Sequence, residues 1–171
     1  MKFIEKDLED VIYSQLQTEE GREALLARDF PVKDFFYLER QLQIGRYGTA
    51  DLVTLSRAIY FPKIRAHEEG VPFIITVYEL KLNEVGINTL IQTARYAKGI
   101  KVYLTKRGLL HLFRFRIILI GRRVDIQDWV YLFDILELYE FVEVYEYEYQ
   151  IDGLFFRPVS LHMYQLDNAG I

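Results

Sequence analysis

The sequence predicts a mixed α/β fold, a mixed sheet flanked by helices, and three observations predict it. Helical periodicity opens the chain over residues 4–28 and returns from Ile87 onward. Short runs rich in Val, Ile, Tyr and Phe lie between and after these stretches, bounded by Gly, Pro or Asp. The two kinds of element are interleaved along the chain, so strands and helices must share one core.

Taken in order, Ile4, Leu8, Val11, Ile12 and Leu16 follow helical spacing and predict a helix over residues 4–17. Ala24, Leu25 and Leu26 mark a second, short helix over 18–28, which Asp29 to Pro31 ends. Residues 35–44 predict a strand with Leu38, Leu42 and Ile44 on one side, and Gly45-Arg46-Tyr47-Gly48 a turn. Residues 49–57 predict a second strand, and 58–72, with two prolines, a glycine and several charges, a long loop. The run FIITVYELKL at 73–82 is apolar on both faces for most of its length, as a central strand should be. Ile87, Leu90, Ile91, Ala94, Ala97, Ile100 and Leu104 form a helical stripe expected to end near Gly108. Residues 111–121 predict another strand. Asp125 suits the N-cap of a helix running to about Leu138, and 140–149 and 153–158 predict two last strands.

A chain of 171 residues, 51% hydrophobic and 27% charged, fits a single domain with its own core, which excludes a disordered tail. No apolar run approaches the roughly 18 residues that span a bilayer, so no membrane role is expected. The start, MKFIEKDLED, turns acidic at once, so no signal peptide is expected and the cytoplasm is the expected compartment. The absence of cysteine excludes disulfides, thiolate zinc sites and cysteine nucleophiles. His67, His111 and His162 are scattered without ligand spacing, and neither a Gly-rich phosphate loop nor a nucleophile elbow is present.

Charge is segregated along the chain. Residues 1–56 hold 7 Lys and Arg against 11 Asp and Glu, a net of −4; residues 57–123 hold 13 against 4, a net of +9; residues 124–171 hold 1 against 10, a net of −9. Such blocks can place a basic, polyanion-binding face on an acidic protein, or they can pack side by side and neutralise each other. Basic candidates for a partner face are Lys63, Arg65, Arg95, Lys98, Lys101, Arg114, Arg116, Arg122 and Arg123.

The chemistry concentrates on the second and third strands. Pairing Asp51 with Glu79 in an antiparallel hairpin sets Val53 against Val77 and Leu55 against Ile75, all on one face by the period-two rule. Lys81 shares that face, which therefore changes from apolar to Asp51, Glu79 and Lys81 at one end. Two neighbouring carboxylates repel unless something offsets the charge, and a divalent cation does so. A hard cation such as magnesium takes oxygen ligands, here Asp51 and Glu79, to which the Leu80 carbonyl could add, with waters completing the shell. Lys81 could then orient a water or stabilise charge on a phosphate. The plainer reading is a Glu–Lys pair beside an unrelated aspartate. Replacing Asp51 by Ala is expected to relieve the repulsion and leave the metal-free protein at least as stable.

Two helices add to the cluster. Glu5 and Glu9 lie one turn apart on the first helix; Glu9 borders the apolar stripe and could reach the sheet end, whereas Glu5 reads as a solvated charge. Gln92 and Tyr96 lie one turn apart on the helix after the third strand and, with Arg95, form a polar strip.

Together these residues resemble the PD-(D/E)XK nuclease superfamily. The pattern is a glutamate on the N-terminal helix, Asp51, the triplet Glu79-Leu80-Lys81, and a Gln92-x-x-x-Tyr96 helix. The string VYELKLNEVGINTLIQTARYAKGI is similar to stretches of its recombination-type exonucleases and resolvase-like members. The resemblance covers about residues 4–121 and implies a restriction-endonuclease-like core of helix, three-strand meander, helix and strand. Residues 124–171 would be a C-terminal extension of one helix and two strands. Asp51, Glu79 and the Leu80 carbonyl would hold Mg2+ or Mn2+, with Lys81 acting on the attacking water. Glu9 would complete the acidic cluster, and Gln92 would support the site or contact DNA. Tyr96, Arg95, Lys98, Lys63 and Arg65 would contact DNA. Ala50 stands where the name-giving proline would be.

The implied function is a metal-dependent deoxyribonuclease; the alternatives are a nuclease-fold subunit that binds DNA without cutting, or a protein-interaction module. For the last, Glu143 to Tyr149 (EVYEYEY) could offer a tyrosine row to a second copy of the chain, or an acidic surface to a basic protein. The preferred reading of that run is an ordinary charged edge strand.

Overall fold

A computed structural model describes residues 4–62, 69–125, 127 and 141–159. Helices α1 (Glu5–Leu16) and α2 (Glu19–Leu26) open the chain. Strands β1 (Tyr37–Gln43), β2 (Thr49–Arg57) and β3 (Phe73–Leu80) follow, then the two-residue strand β4 (Glu84–Val85) and the long helix α3 (Ile87–Lys106). Strands β5 (Phe113–Gly121), β6 (Arg123–Val124), β7 (Val142–Gln150) and β8 (Gly153–Pro158) complete the described chain. The helix expected over 125–138 lies outside the described residues. Among those described, no helix is long and apolar enough to cross a membrane.

The six long strands form one mixed sheet in the order β1-β2-β3-β5-β7-β8. The first three form an antiparallel meander. Strands β3, β5 and β7 run parallel, and β8 returns antiparallel to β7. β4 and β6 make a separate two-residue parallel pair that the sequence did not reveal. Helices cover both faces, which is why β3 and β5 are buried along nearly their whole length. One face packs Val53, Val77, Ile117 and Leu119 against Leu90, Tyr96, Ala97 and Leu104 of α3. The other packs Leu52, Tyr78, Leu80, Ile118 and Ile120 against Leu8, Ile12 and Leu16 of α1 and Leu25 of α2.

Side chains engage all three helix starts, as an N-cap in α2 and from the third helical position in α1 and α3. Asp7 accepts the Ile4 amide at 2.8 Å, Thr18 accepts the Gly21 amide at 3.0 Å, and Thr89 accepts the Gly86 amide at 3.3 Å. α3 stops at Lys106, with Gly108 at φ +69°, as the sequence led one to expect.

Four readings need correction. The buried stripe of α3 is Thr89, Leu90, Thr93, Tyr96, Ala97, Gly99 and Leu104, so Ile91 (53% exposed) and Ala94 face outward. The stripe takes in Gly99 through close packing. A Cβ on Gly99 would lie 2.7 Å from the Tyr47 ring, so the turn after β1 sits directly on the helix there. Second, Leu38 and Leu42 do not share a side. Leu38 packs toward α1 and Leu42 toward α3, because Gln41 between them has φ +51° and breaks the alternation.

Third, the EVYEYEY run is not an edge strand, since β8 covers β7. Tyr147 is buried and donates to the Leu82 carbonyl at 2.6 Å, Tyr145 packs against the α1 core, and only Tyr149 of the three is exposed. Fourth, Arg116 offers nothing to a partner face. It is buried, donating to the Pro31 carbonyl at 3.0 Å and to Glu143 at 2.6 Å.

Candidate metal centre

The β2–β3 ladder has the expected register, Val53 against Val77 and Leu55 against Ile75. Its last pair in this direction is Leu52 with Tyr78. One step further, where Asp51 and Glu79 stand opposite, the backbone pairing gives way to a side chain. Asp51 Oδ2 accepts the Leu80 amide at 2.8 Å. In an extended strand the N–H and C=O of one residue point to the same edge, so the Leu80 carbonyl is directed toward the Asp51 side as well.

Glu79 is 1% exposed. Its Oε1 accepts from Lys81 Nζ at 2.7 Å, and its Oε2 is buried with no hydrogen-bond partner. Burial, then the Asp51 charge, pushes the Glu79 carboxyl up to about 7 against the relief Lys81 provides. Burial likewise raises Asp51 to about 6, although the Leu80 amide and Lys81 pull it down. Burial works against the Lys81 charge, but the bond to Glu79 outweighs it and holds the ammonium above its ordinary pKa.

Helix α1 closes the site from the opposite face. Glu5 Oε2 accepts the Leu82 amide at 3.3 Å, and its Oε1 lies 3.7 Å from Lys81 Nζ. Glu5 thus reaches the site more directly than its reading as a solvated charge implied. Glu9 is buried and pairs with Arg40, which also holds Asp10. Glu9 is bridged to Asp51 by Gln41, whose amide donates to Glu9 Oε2 at 2.7 Å and to Asp51 Oδ1 at 3.4 Å.

On α3, Gln92 donates to the Tyr96 hydroxyl, and Tyr96 is buried. Burial raises the Tyr96 hydroxyl pKa against the Gln92 bond, and the charges of Glu79 and Asp51 add to the rise. A groove of about 440 Å³ runs along this side of α3, lined by Arg46, Tyr47, Asn88, Gln92, Arg95 and Tyr96 among others. Gly48 at φ +110° closes the turn over it; a Cβ there would lie 2.6 Å from Tyr96 Cε1. Arg95 and Lys98 are exposed on α3, while Lys63 and Arg65 lie outside the described residues. The rest of the basic segment is partly neutralised, with Arg114 on Glu69 at 2.8 Å and Arg123 on Glu84.

The donor set suits a hard divalent cation: two carboxylates, one a buried oxygen lacking a partner, and a strand-end carbonyl, all oxygen. Among the described residues no group of three or more His, Cys, Asp or Glu side chains is placed to hold a metal ion. A cation that keeps several waters, as magnesium does, needs only one or two carboxylates.

Two residues were missed by sequence reasoning. Gln41 carries no motif signal, and Arg46 belonged to a turn read only for its glycines. No family model matches the chain, and neither a curated protein nor a solved structure matches it.

Proposed function

We propose that this protein is a metal-dependent nuclease of the PD-(D/E)XK type that hydrolyses DNA phosphodiester bonds, with Asp51, Glu79 and the Leu80 carbonyl holding magnesium or manganese. The observation that carries this reading is the buried, unpartnered oxygen of Glu79 beside Asp51, with Lys81 bound to the other oxygen. A bound divalent cation supplies a water of lowered pKa and positive charge for the phosphate.

The chain's residues supply the rest. Asp51 and Glu79 present negative charge at one point once both are ionised, above about pH 7. Lys81, tethered to Glu79, is placed to orient a water by hydrogen bonding and to stabilise charge building on a phosphate. Gln92 lines the groove and is fixed by Tyr96. Arg46 and Arg95 line the same groove, where they would hold phosphates without reading sequence. The order of helix, three antiparallel strands, helix and parallel strand agrees with the nuclease core and supports the reading.

The test is cleavage of linear, circular and branched DNA with magnesium, manganese or EDTA. Cutting should require the metal and should vanish in Asp51→Asn and Lys81→Ala proteins that retain parental circular dichroism. A second reading, a DNA-binding subunit that does not cut, is favoured by the absence of a third carboxylate ligand among the described residues. It would show as a salt-sensitive mobility shift with no product under any metal.

A further inference from the structure

Gln41 stands in the middle of β1 with φ +51°, a left-handed conformation that side chains other than Gly and Asn rarely adopt. Among the described residues only Asp29 shares this property without being glycine, and Asp29 lies in the loop after α2, where left-handed residues are common. The β1–β2 ladder pairs Arg40 with Leu52 and Leu42 with Ala50, and skips the position between, where Gln41 faces Asp51. Strain at that point obtains something a regular strand would not. The Gln41 amide reaches Glu9 on α1 at 2.7 Å and Asp51 on β2 at 3.4 Å.

The chemistry of this bridge is specific. Glu9 is itself fixed by Arg40, so it anchors the amide. Asp51 then has one oxygen held by Gln41 and the other by the Leu80 amide. Each carboxylate oxygen has two lone pairs, so both keep one free for a cation while the two donors orient the group. A lysine or arginine in place of Gln41 would also orient Asp51, but its charge would compete with a cation for it. A neutral donor orients the ligand and leaves its charge intact. Strained backbone held in place by its surroundings is a recurrent mark of functional sites.

We infer that Gln41 is a positioning residue, which fixes the Asp51 carboxylate from Glu9 and thereby sets the affinity of the site for a divalent cation. This rests on the metal-centre reading above.

The test is Mn2+ binding to the full chain without DNA, measured by calorimetry at pH 7.5, beside metal-free melting temperature. The variants are Gln41→Met, which removes the donor, and Gln41→Gly, which removes it and also releases the backbone. Both should weaken Mn2+ binding by about 10- to 100-fold, the range for groups that orient metal ligands. Gln41→Gly should do so while melting at or above the parental temperature. A merely structural role would move affinity and melting temperature together, or affinity not at all. Parental Mn2+ affinity in both variants, within twofold, would overturn the role of Gln41 alone. No Mn2+ bound by the parent would overturn the metal centre and this inference with it.

Discussion

Asp51 Oδ2 accepts the Leu80 amide at 2.8 Å, so the carboxylate takes the place of a backbone partner where β2 and β3 part. The residue is at once an electrostatic liability beside Glu79 and a structural acceptor. These roles respond differently to substitution.

Asp51→Ala relieves the repulsion but strands the Leu80 amide, whose missing acceptor costs about 1–3 kcal/mol. Asp51→Asn relieves the same repulsion and keeps an acceptor oxygen. Urea unfolding at pH 8 in EDTA should therefore find the Asn protein more stable than the parent and the Ala protein less stable than the Asn protein by about 1 kcal/mol or more. The simpler expectation from sequence, that Ala is at least as stable as the parent, omits the amide. Equal stability of Asn and Ala proteins would show that the hydrogen bond carries no weight.

Stability of the metal-free protein should fall as pH rises. Glu79 sits at about 7 and Asp51 at about 6, above their ordinary values of 4.5 and 3.8. Between those limits the native state holds protons that the unfolded chain has released, so unfolding becomes easier as pH rises through the window, and the loss is complete above about pH 7. Glu79 alone should contribute on the order of 3 kcal/mol of this loss. Urea unfolding of parent and Glu79→Gln at pH 4.5 and 8 isolates it: the parent's stability relative to the variant should drop across the interval. A relative stability that stays flat or rises would contradict the burial of an unpartnered carboxylate.

Mn2+ binding should carry the same protons with the opposite consequence. Below pH 6 the cation must displace protons from both carboxylates, so affinity should rise steeply with pH and level off above about 7. Calorimetry in two buffers of different ionisation heat reads the protons released. None released at pH 6 would mean the cation binds elsewhere.

Arg46 and Arg95 line the groove beside Gln92, and Arg46 donates to the Tyr47 hydroxyl at 3.3 Å rather than to a carboxylate ligand. Arg46→Ala and Arg95→Ala should weaken DNA binding and reduce the slope of log K against log salt by about 0.9 for each phosphate left without its arginine. Mn2+ affinity should not change. Gly99→Ala, which forces the Tyr47 turn off α3, should lower stability by about 1–3 kcal/mol and distort the same groove. An unaltered salt slope in both Arg variants would move the DNA track elsewhere.

The hairpin register was legible in the sequence because alternation has period two, and pairing Asp51 with Glu79 sets Val53 against Val77 and Leu55 against Ile75 on one face. The end of α3 was legible through Gly108, whose chemistry is local. What stayed hidden depends on packing between distant segments. Gln41 takes a left-handed φ that nothing adjacent to it demands. Gly99 lies on the buried face of α3 because a turn some fifty residues earlier approaches closely there. The run at β7 alternates charge and tyrosine like an edge, yet β8 pairs along it and Glu146 is buried, accepting the Val124 amide at 3.1 Å. In the site, the residues of the β2–β3 hairpin were legible as a group. Glu5 and Gln41, which hold that group from α1 and β1, were not.

The most direct measurement is anomalous diffraction from crystals of the protein soaked in Mn2+. The expected result is one peak within coordinating distance of Asp51, Glu79 and the Leu80 carbonyl, about 2.0–2.6 Å from their oxygens, and its absence in Asp51→Asn crystals. A map at saturating Mn2+ with no peak there, while Glu79 Oε2 remains unpartnered, would contradict the metal centre and the hydrolytic function built on it.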